Sequence, residues 1–253
     1  MAKALLVDTN YSAAPIYNYL TRLGLEVYVI GGNHEHFLAK SAKNYIDHDY
    51  SNIEKAIDYI TELGIDFLVP GCNDHSMQVC AQINSEISFY GIDSESVIES
   101  INNKEKFRSL ATELKLPVPN VLGVNVSHES LPVIVKPVDA YSGHGMTVVR
   151  DLAGLKAAIS LASGFSGSGQ CLVEHYVEGQ LFSHSAFIQN GEIALAFVVE
   201  EHGTANPFVV DTSRVVYDFD EAMLQSINMD IGKIINKLGL NSGLIHTQFV
   251  VRG

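Results

Sequence analysis

A lysine at the end of an apolar strand, followed by a glycine-bearing loop, is the part of the sequence best suited to chemistry. The β-branched run ending at Lys136 predicts a strand, and Ser142, Gly143 and Gly145 lie in the loop that follows. A lysine drawn into a partly buried strand end either loses its proton or binds an anion. Because glycines let backbone N–H groups turn toward a phosphate, the stretch predicts an anion-binding loop. The alternative is a solvated edge lysine before an ordinary loop.

Two features of the flanking elements support this interpretation. Side chains alternate along a strand, so Ile134 and Lys136 are predicted on one face and Val133 and Val135 on the other. A second lysine, Lys104, opens a predicted helix about 60° around the axis from the apolar residue Phe107. Lys104 is therefore predicted to point inward at a domain junction, with plain solvation of the helix as the alternative.

Composition limits the class of protein. The chain has 253 residues, 47% of them hydrophobic, which is enough for two globular units. A net charge of −13 argues against nucleic-acid binding and against an anionic membrane surface. Three cysteines without metal-ligand spacing indicate reduced thiols, and no apolar run approaches a membrane span, so a cytoplasmic location is predicted.

The order of elements predicts a two-part α/β and α+β protein. Strands alternate with helices over residues 1–102, which favours a parallel sheet with helices on both faces. The first strand runs into Asp8, Thr9 and Asn10 and not into G-x-G-x-x-G, so a nicotinamide dinucleotide site has little support. Later come a strand ending in Glu174-x-x-Val177-x-Gly179, a hairpin turn at Asn190-Gly191, a helix and a closing strand.

Taken in this order, the lysine-led helix, the strand–lysine–glycine loop and the Glu174 motif resemble the ATP-grasp superfamily. The likeness is to carboxylate–amine ligases of the carbamoyl-phosphate synthase large chain and biotin carboxylase type. It implies an N-terminal Rossmann-like domain over residues 1–102 and an ATP-grasp domain over 103–253. The latter would contain a mobile lid at about 117–177 and lack its C-terminal end.

The resemblance also implies roles for individual residues. Glu174 would accept from the adenine amino group, and Ile134 and Val250 would cover the two faces of the ring. Lys104 and Lys136 would hold the phosphates of ATP. The lid loop over the phosphates would consist of Tyr141, Ser142, Gly143, His144 and Gly145. The backbone beside the edge of the adenine ring would be that of His175, Tyr176 and Val177.

The implied activity is ligation of a small-molecule carboxylate to an amine through an acyl phosphate, with ATP and Mg²⁺. The alternative is an ATP-binding protein without ligase activity, in a regulatory role or as a partner subunit, and a homo-oligomer is left open. Gln248 stands where the family usually has a metal-binding glutamate, so the metal ligands are unassigned. Arg214 and His184 are candidate substrate residues. Arg214 would clamp a carboxylate, with a surface ion pair as the alternative, and His184 would stand in place of a ribose-binding acid.

Overall fold

The computed structural model describes residues 1–140, 143–204, 206 and 208–252, and it divides into two compact units, Met1–Glu99 and Ser100–Gly253. In chain order the elements are β1 (Lys3–Val7), α1 (Ala14–Arg22), β2 (Glu26–Gly31), α2 (Phe37–Ser41), β3 (Asn44–Asp47), α3 (Ile53–Leu63), β4 (Phe67–Pro70), α4 (Asp74–Glu86), α5 (Glu95–Asn102), α6 (Lys104–Glu113), β5 (Val133–Pro137), β6 (Thr147–Val149), α7 (Leu152–Phe165), β7 (Cys171–His175), β8 (Gln180–Gln189), β9 (Glu192–His202), β10 (Thr212–Val216), α8 (Glu221–Leu238) and β11 (Ser242–Val251).

The first unit is built on a parallel sheet, which confirms the prediction from alternating strands and helices. Its strand order is β3-β2-β1-β4, and every pairing is parallel. Both faces are apolar: Leu5 and Val7 pack with residues of α3 and α4, whereas Ala4 and Leu6 pack with residues of α1. A strand buried on both sides requires helices on both sides, as the short apolar run Ala4–Val7 indicates.

Helix α3 begins one residue away from the predicted cap. The spacing of Ser51 and Glu54 predicts a capping box, but in the structure Asn52 is the N-cap and its side chain accepts from Lys55 N at 3.1 Å. Both residue types cap helices well, so the sequence alone does not separate them. The helix ends at Gly64, whose φ of 64° closes it in the left-handed conformation.

The second unit contains two antiparallel sheets, ordered β6-β5-β7 and β10-β9-β8-β11. The predicted hairpin between β8 and β9 is confirmed, because Gln189 pairs with Glu192 and the two turn residues Asn190 and Gly191 both have positive φ. Helix α8 packs its buried residues Ile231, Ile234 and Ile235 inward. Within the ranges given above, no helix has the length and apolar character needed to cross a bilayer.

The serine- and glycine-rich stretch of residues 163–169, whose composition predicts a flexible connector, begins inside α7 and is anchored after the helix ends. Ser166 Oγ donates to Asp139 at 2.6 Å, and the amides of Gly167 and Ser168 donate to the same carboxylate. Asp139 belongs to the loop that leaves β5. The stretch therefore holds that loop in place, which composition alone does not reveal.

Candidate functional site

The sheet of β6, β5 and β7 has one apolar face and one charged face. Val133 and Val135 pack against α7 on the apolar face. Ile134 and Lys136 lie on the opposite face, as the alternation along the strand predicts, and Glu174 of β7 is the cross-strand partner of Ile134. Because directly paired residues of antiparallel strands point the same way, Ile134, Lys136 and Glu174 share one surface.

A network of three charged side chains lies on this surface. Arg108 of α6 donates from Nε to Glu174 Oε2 at 2.8 Å and from Nη2 to Oε1 at 3.2 Å. Lys136 Nζ forms an ion pair with the same Oε1. The side chains of Arg108, Lys136 and Glu174 are only 17, 12 and 2% exposed, so the network is largely withdrawn from water.

The network fixes the charge of its central carboxylate. Burial alone would raise the pKa of Glu174, but the attraction of Lys136 and Arg108 outweighs it and holds the pKa below its ordinary value. Burial lowers the pKa of Lys136, and the attraction of Glu174 offsets this effect only in part. At neutral pH Glu174 is therefore an ionised group that can only accept hydrogen bonds.

Lys104 is held against the chain that leaves β5. Its backbone N donates to Val138 O at 2.9 Å, and its Nζ donates to Ala140 O at 2.7 Å. The side chain of Asn103 caps the helix by accepting from the amides of Glu105 and Lys106, which fixes the start of α6 beside this loop. The structure thus brings Lys104 to the loop that follows Lys136 and Pro137 at the end of β5.

The rest of the predicted loop is described from Gly143 onward, whereas Tyr141 and Ser142 lie outside the described residues. Gly143 and Gly145 have φ of 67° and 70°, which favours glycine at both positions. A Cβ on Gly143 would lie 2.6 Å from Phe208 O, so the loop passes close to the segment between β9 and β10. The ring of His144 stacks on Phe165 with centroids 6.0 Å apart.

The backbone after Glu174 is partly engaged within the protein. The amide of His175 donates to Asn120 O at 3.0 Å, and the amide of Tyr176 donates to Pro132 O at 3.0 Å. In the described chain, no backbone hydrogen bond from the Val177 amide is found. Of the three predicted edge residues, Val177 is therefore the one whose amide has no backbone partner among the residues that the structure describes.

The predicted residues of the second sheet are divided between its two faces. Val250 and Gln248 of β11 pair with Leu181 and Ser183 of β8, so these side chains share one face, and Val250 is 38% exposed. His184 lies on the other face, fully buried, with Nε2 at 2.9 Å from Asn228 Oδ1 of α8. The structure does not bring His184 to the face that carries Gln248.

Arg214 lies on β10, where it forms an ion pair with Glu200 at 2.5 Å and its side chain is 72% exposed. This is the surface ion pair that the sequence offers as the alternative to a carboxylate clamp. The substrate roles of Arg214 and His184, like the ligand roles of the other predicted residues, remain predictions.

Sequence reasoning missed two residues that contact predicted site residues, namely Arg108, which contacts Glu174, and Glu201, which contacts Gln248. Arg108 follows Lys104 by four residues in α6, and this spacing places both side chains on one helix face. That spacing is a readable signal, although the partner Glu174 lies 66 residues further on. Glu201 has no comparable signal in the sequence, since its contact with Gln248 depends on the register of the second sheet.

The comparisons with known proteins agree with this architecture. Residues 129–253 match the model of the family described as ATP-grasp domain. Two relatives are the carbamoyl phosphate synthase arginine-specific large chain of Bacillus subtilis, 27% identical over 161 residues and 58% of this chain, and the phosphoribosylamine–glycine ligase of Lactococcus lactis, 24% identical over 191 residues and 71% of this chain. The L-amino acid ligase of Bacillus licheniformis superposes over 99% of this chain with a TM-score of 0.79 and 17% identity.

The chain spans only part of each of these proteins: 16% and 45% of the two relatives, and 64% of the solved structure. The likeness to the solved structure nevertheless confirms the predicted fold, a parallel-sheet unit followed by an ATP-grasp unit. The chain therefore contains an ATP-grasp domain, over residues 129–253.

Proposed function

We propose that the chain binds ATP on the charged face of β5 and β7 and uses it to activate a small-molecule carboxylate for attack by an amine. The observation that carries this proposal is the buried network of Lys136, Glu174 and Arg108 beside Ile134. The apolar side chain of Ile134, the ionised carboxylate of Glu174 and the cation of Lys136 thus lie next to one another on one sheet face. The names of the two curated relatives, a carbamoyl phosphate synthase and an amine–glycine ligase, support the same class of reaction.

The base of ATP fits the end of this surface that carries Glu174. An ionised carboxylate accepts from the exocyclic amino group of adenine, and it repels the carbonyl oxygen that guanine has at that position. The amides of His175 and Tyr176 are already bonded to backbone carbonyls. The ring edge would therefore pair with the Val177 amide and a neighbouring carbonyl, while Ile134 packs against the ring face.

The phosphates fit the end that carries the two lysines and the glycine loop. Lys136 has a flexible four-carbon stem, so its ammonium group can leave Glu174 for a phosphate while Arg108 continues to neutralise the carboxylate. Lys104 already reaches the loop after β5 through Ala140 O. The positive φ values of Gly143 and Gly145 allow amides of that loop to turn toward an anion.

The chemistry proposed for such a site needs positioned charge more than a side-chain nucleophile. A carboxylate oxygen attacks the γ-phosphorus of ATP and releases ADP, and the resulting acyl phosphate is attacked at carbon by the amine, which releases phosphate. The lysines stabilise charge on the transferred phosphoryl group by electrostatic attraction. Bound Mg²⁺, expected from the family, would neutralise further phosphoryl charge.

Replacing Lys136 by alanine tests the nucleotide site. At ATP concentrations about 100 times the dissociation constant, the native chain should gain about 2.7 kcal/mol of stability, seen as a rise in Tm. Lys136→Ala should lose most of this rise, because the phosphates lose their nearest cation. Lys233→Ala is the matched control, since Lys233 lies on α8 in a surface pair with Asp230. An equal rise in the Lys136 variant would contradict the proposal.

Formation of ADP distinguishes a ligase from an ATP-binding protein without ligase activity. With ATP, Mg²⁺, a panel of small carboxylates and an amine, we expect ADP and phosphate to appear in equal amounts for at least one pair. ADP production should require the carboxylate, because it is the group that attacks ATP. An ATP-dependent rise in Tm with no ADP across a broad panel would favour the binding-only alternative.

A further inference from the structure

Arg108 is the member of the buried network that has no contact with ATP in the proposed function. Its guanidinium donates to both oxygens of the Glu174 carboxylate, from Nε to Oε2 at 2.8 Å and from Nη2 to Oε1 at 3.2 Å. Lys136 forms its ion pair with Oε1. Two bonds from a planar donor to two oxygens fix the rotation of a carboxylate as well as its position. Arg108 is therefore the partner that orients Glu174.

The two cations of the network differ in how firmly they are held. The guanidinium of Arg108 is planar, and its Cζ lies 5.8 Å from the centroid of the Phe107 ring. The backbone of Phe107 is fixed in turn by its amide, which donates to Asn103 O at 2.8 Å. The ammonium group of Lys136 is a point charge on a flexible stem. Arg108 is thus the fixed cation beside Glu174, and Lys136 is the one that can move.

The balance of charge shows why a second cation is needed. Among the described residues, the charged side chains that form ion pairs with Glu174 are Lys136 of β5 and Arg108 of α6. If Lys136 turned to a phosphate and Arg108 were absent, the carboxylate would be left buried without a cation. Such a group is costly and takes up a proton more readily. Arg108 therefore allows Lys136 to move while Glu174 stays ionised.

The protonation state of Glu174 decides which base the site accepts. An ionised carboxylate only accepts hydrogen bonds, whereas a protonated one also donates from its O–H. Adenine presents an amino group at ring position 6, and hypoxanthine, the base of ITP, presents a carbonyl oxygen there. An ionised Glu174 therefore favours adenine, and a protonated Glu174 also accommodates hypoxanthine. Whatever keeps Glu174 ionised and oriented controls the preference between the two bases.

We propose that Arg108 is a positioning residue that sets the preference of the site for adenine, because it keeps Glu174 ionised and oriented after Lys136 has turned to the phosphates. The inference rests on the proposed function, which places the base at Glu174 and the phosphates at Lys136. Arg108 acts through Glu174 and needs no contact of its own with the nucleotide. The ion pair of Lys136 with Glu174 is then the resting contact of the ligand-free protein.

The first test compares the affinities for ATP and ITP by calorimetry. The two nucleotides carry the same ribose and triphosphate, and differ at position 6 of the base and in the proton on N1 that accompanies the carbonyl. The native chain should prefer ATP, and Arg108→Gln should reduce the ratio of the two affinities by about tenfold. Lys136→Ala should weaken both nucleotides alike. Arg22→Gln, an exposed position on α1, is the control that should leave the ratio unchanged.

The second test needs no nucleotide. Lys136→Ala imitates the state in which the lysine has left Glu174, and carbon NMR follows the titration of the Glu174 carboxyl group in this variant. With Arg108 present, Glu174 should remain ionised at pH 7. Adding Arg108→Gln should raise the pKa of Glu174 by at least about one pH unit, because the remaining opposite charge is removed. Adding Arg22→Gln instead should leave that pKa unchanged.

Two results would overturn the inference: an unchanged ratio of ATP to ITP affinity in Arg108→Gln, or a Glu174 pKa that does not depend on Arg108. A variant that is only less stable would lose affinity for both nucleotides and keep their ratio. If Arg108→Gln does not fold, Arg108→Lys decides, since it keeps the charge and loses the two-point contact. It should keep Glu174 ionised and lower the ratio, and a native ratio would overturn the orienting role.

Failure of the proposed function gives a different result. Native protein that binds neither ATP nor ITP would contradict the nucleotide site itself, and the base preference assigned to Arg108 would fall with it. Native protein that prefers ATP, together with an Arg108→Gln variant that has the same preference, would leave the nucleotide site intact and remove only the role of Arg108.

Discussion

Replacing Glu174 by alanine is expected to lower the free energy of unfolding by about 3–5 kcal/mol. The substitution leaves Lys136 and Arg108 as two like charges in a largely buried position, without the carboxylate that neutralises both. Urea unfolding measures the change. The ATP-dependent rise in Tm should vanish in the same variant, because the proposed acceptor for the base of ATP is lost.

Glu178→Ala is the control for this prediction. Glu178 lies four residues later and pairs with Arg150, but both side chains are 64% exposed. Exposed pairs contribute about 0–1 kcal/mol, so this variant should unfold almost as the native chain does. An equal decrease in the free energy of unfolding in Glu174→Ala and Glu178→Ala would show that the buried network contributes no more to stability than the exposed pair.

The same network predicts how stability changes with pH. The folded-state pKa of Glu174 is held below its ordinary value of 4.5, so its contribution to stability is complete above that value. The contribution is lost as the pH falls through the folded-state pKa. The difference in stability between the native chain and Glu174→Gln should therefore shrink on acidification.

Replacing Gly179 by alanine is expected to destabilise the second unit by about 3 kcal/mol or more, at the upper end of what overpacking costs. A Cβ on Gly179 would lie 2.7 Å from Val250 Cγ1 and 2.9 Å from the carbonyl carbon of Val251, and the carbonyl oxygen would be closer still. Because part of this obstruction is backbone, it cannot be relieved by turning a side chain. β11 would have to shift relative to the start of β8.

Gly232→Ala should change the free energy of unfolding in the opposite direction to Gly179→Ala. Gly232 lies inside α8, and a Cβ there would meet nothing within 4 Å. Alanine is favoured over glycine in a helix by up to about 1 kcal/mol, so this variant should be slightly more stable. Chemical denaturation of both variants measures the two changes in the free energy of unfolding. A stable Gly179→Ala protein would mean that the contact with β11 is looser than the structure indicates.

The fold could be predicted from the sequence where its determinants are local. The two faces of β5 follow from alternation along five residues, and the turn at Asn190 and Gly191 follows from their tolerance of positive φ. The parallel sheet of the first unit follows from strands that alternate with helices at short intervals. Each of these patterns is contained within one element or one connection.

The parts that escaped prediction depend on contacts between distant segments. Arg108 and Glu174 are 66 residues apart, and Glu201 and Gln248 are 47 apart, so neither pair leaves a local pattern. The serine and glycine run after α7 has the composition of a linker and is nevertheless tied to Asp139. Charged and polar partners of this kind become visible only when the register of the sheets is known.

Helix α6 fixes the distance between two parts of the candidate site. Lys104 and Arg108 are four residues apart, which corresponds to about 6 Å along the helix axis, and they contact Ala140 and Glu174, respectively. One rigid element thus sets the distance between the loop after β5 and the carboxylate on β7. Inserting a single residue between the two cations would rotate one of them by about 100° and break one contact, whichever end stayed in place. The length of this one helical turn therefore fixes the spacing between Lys104 and the Glu174 carboxylate, the two groups to which the proposed function assigns the two ends of ATP.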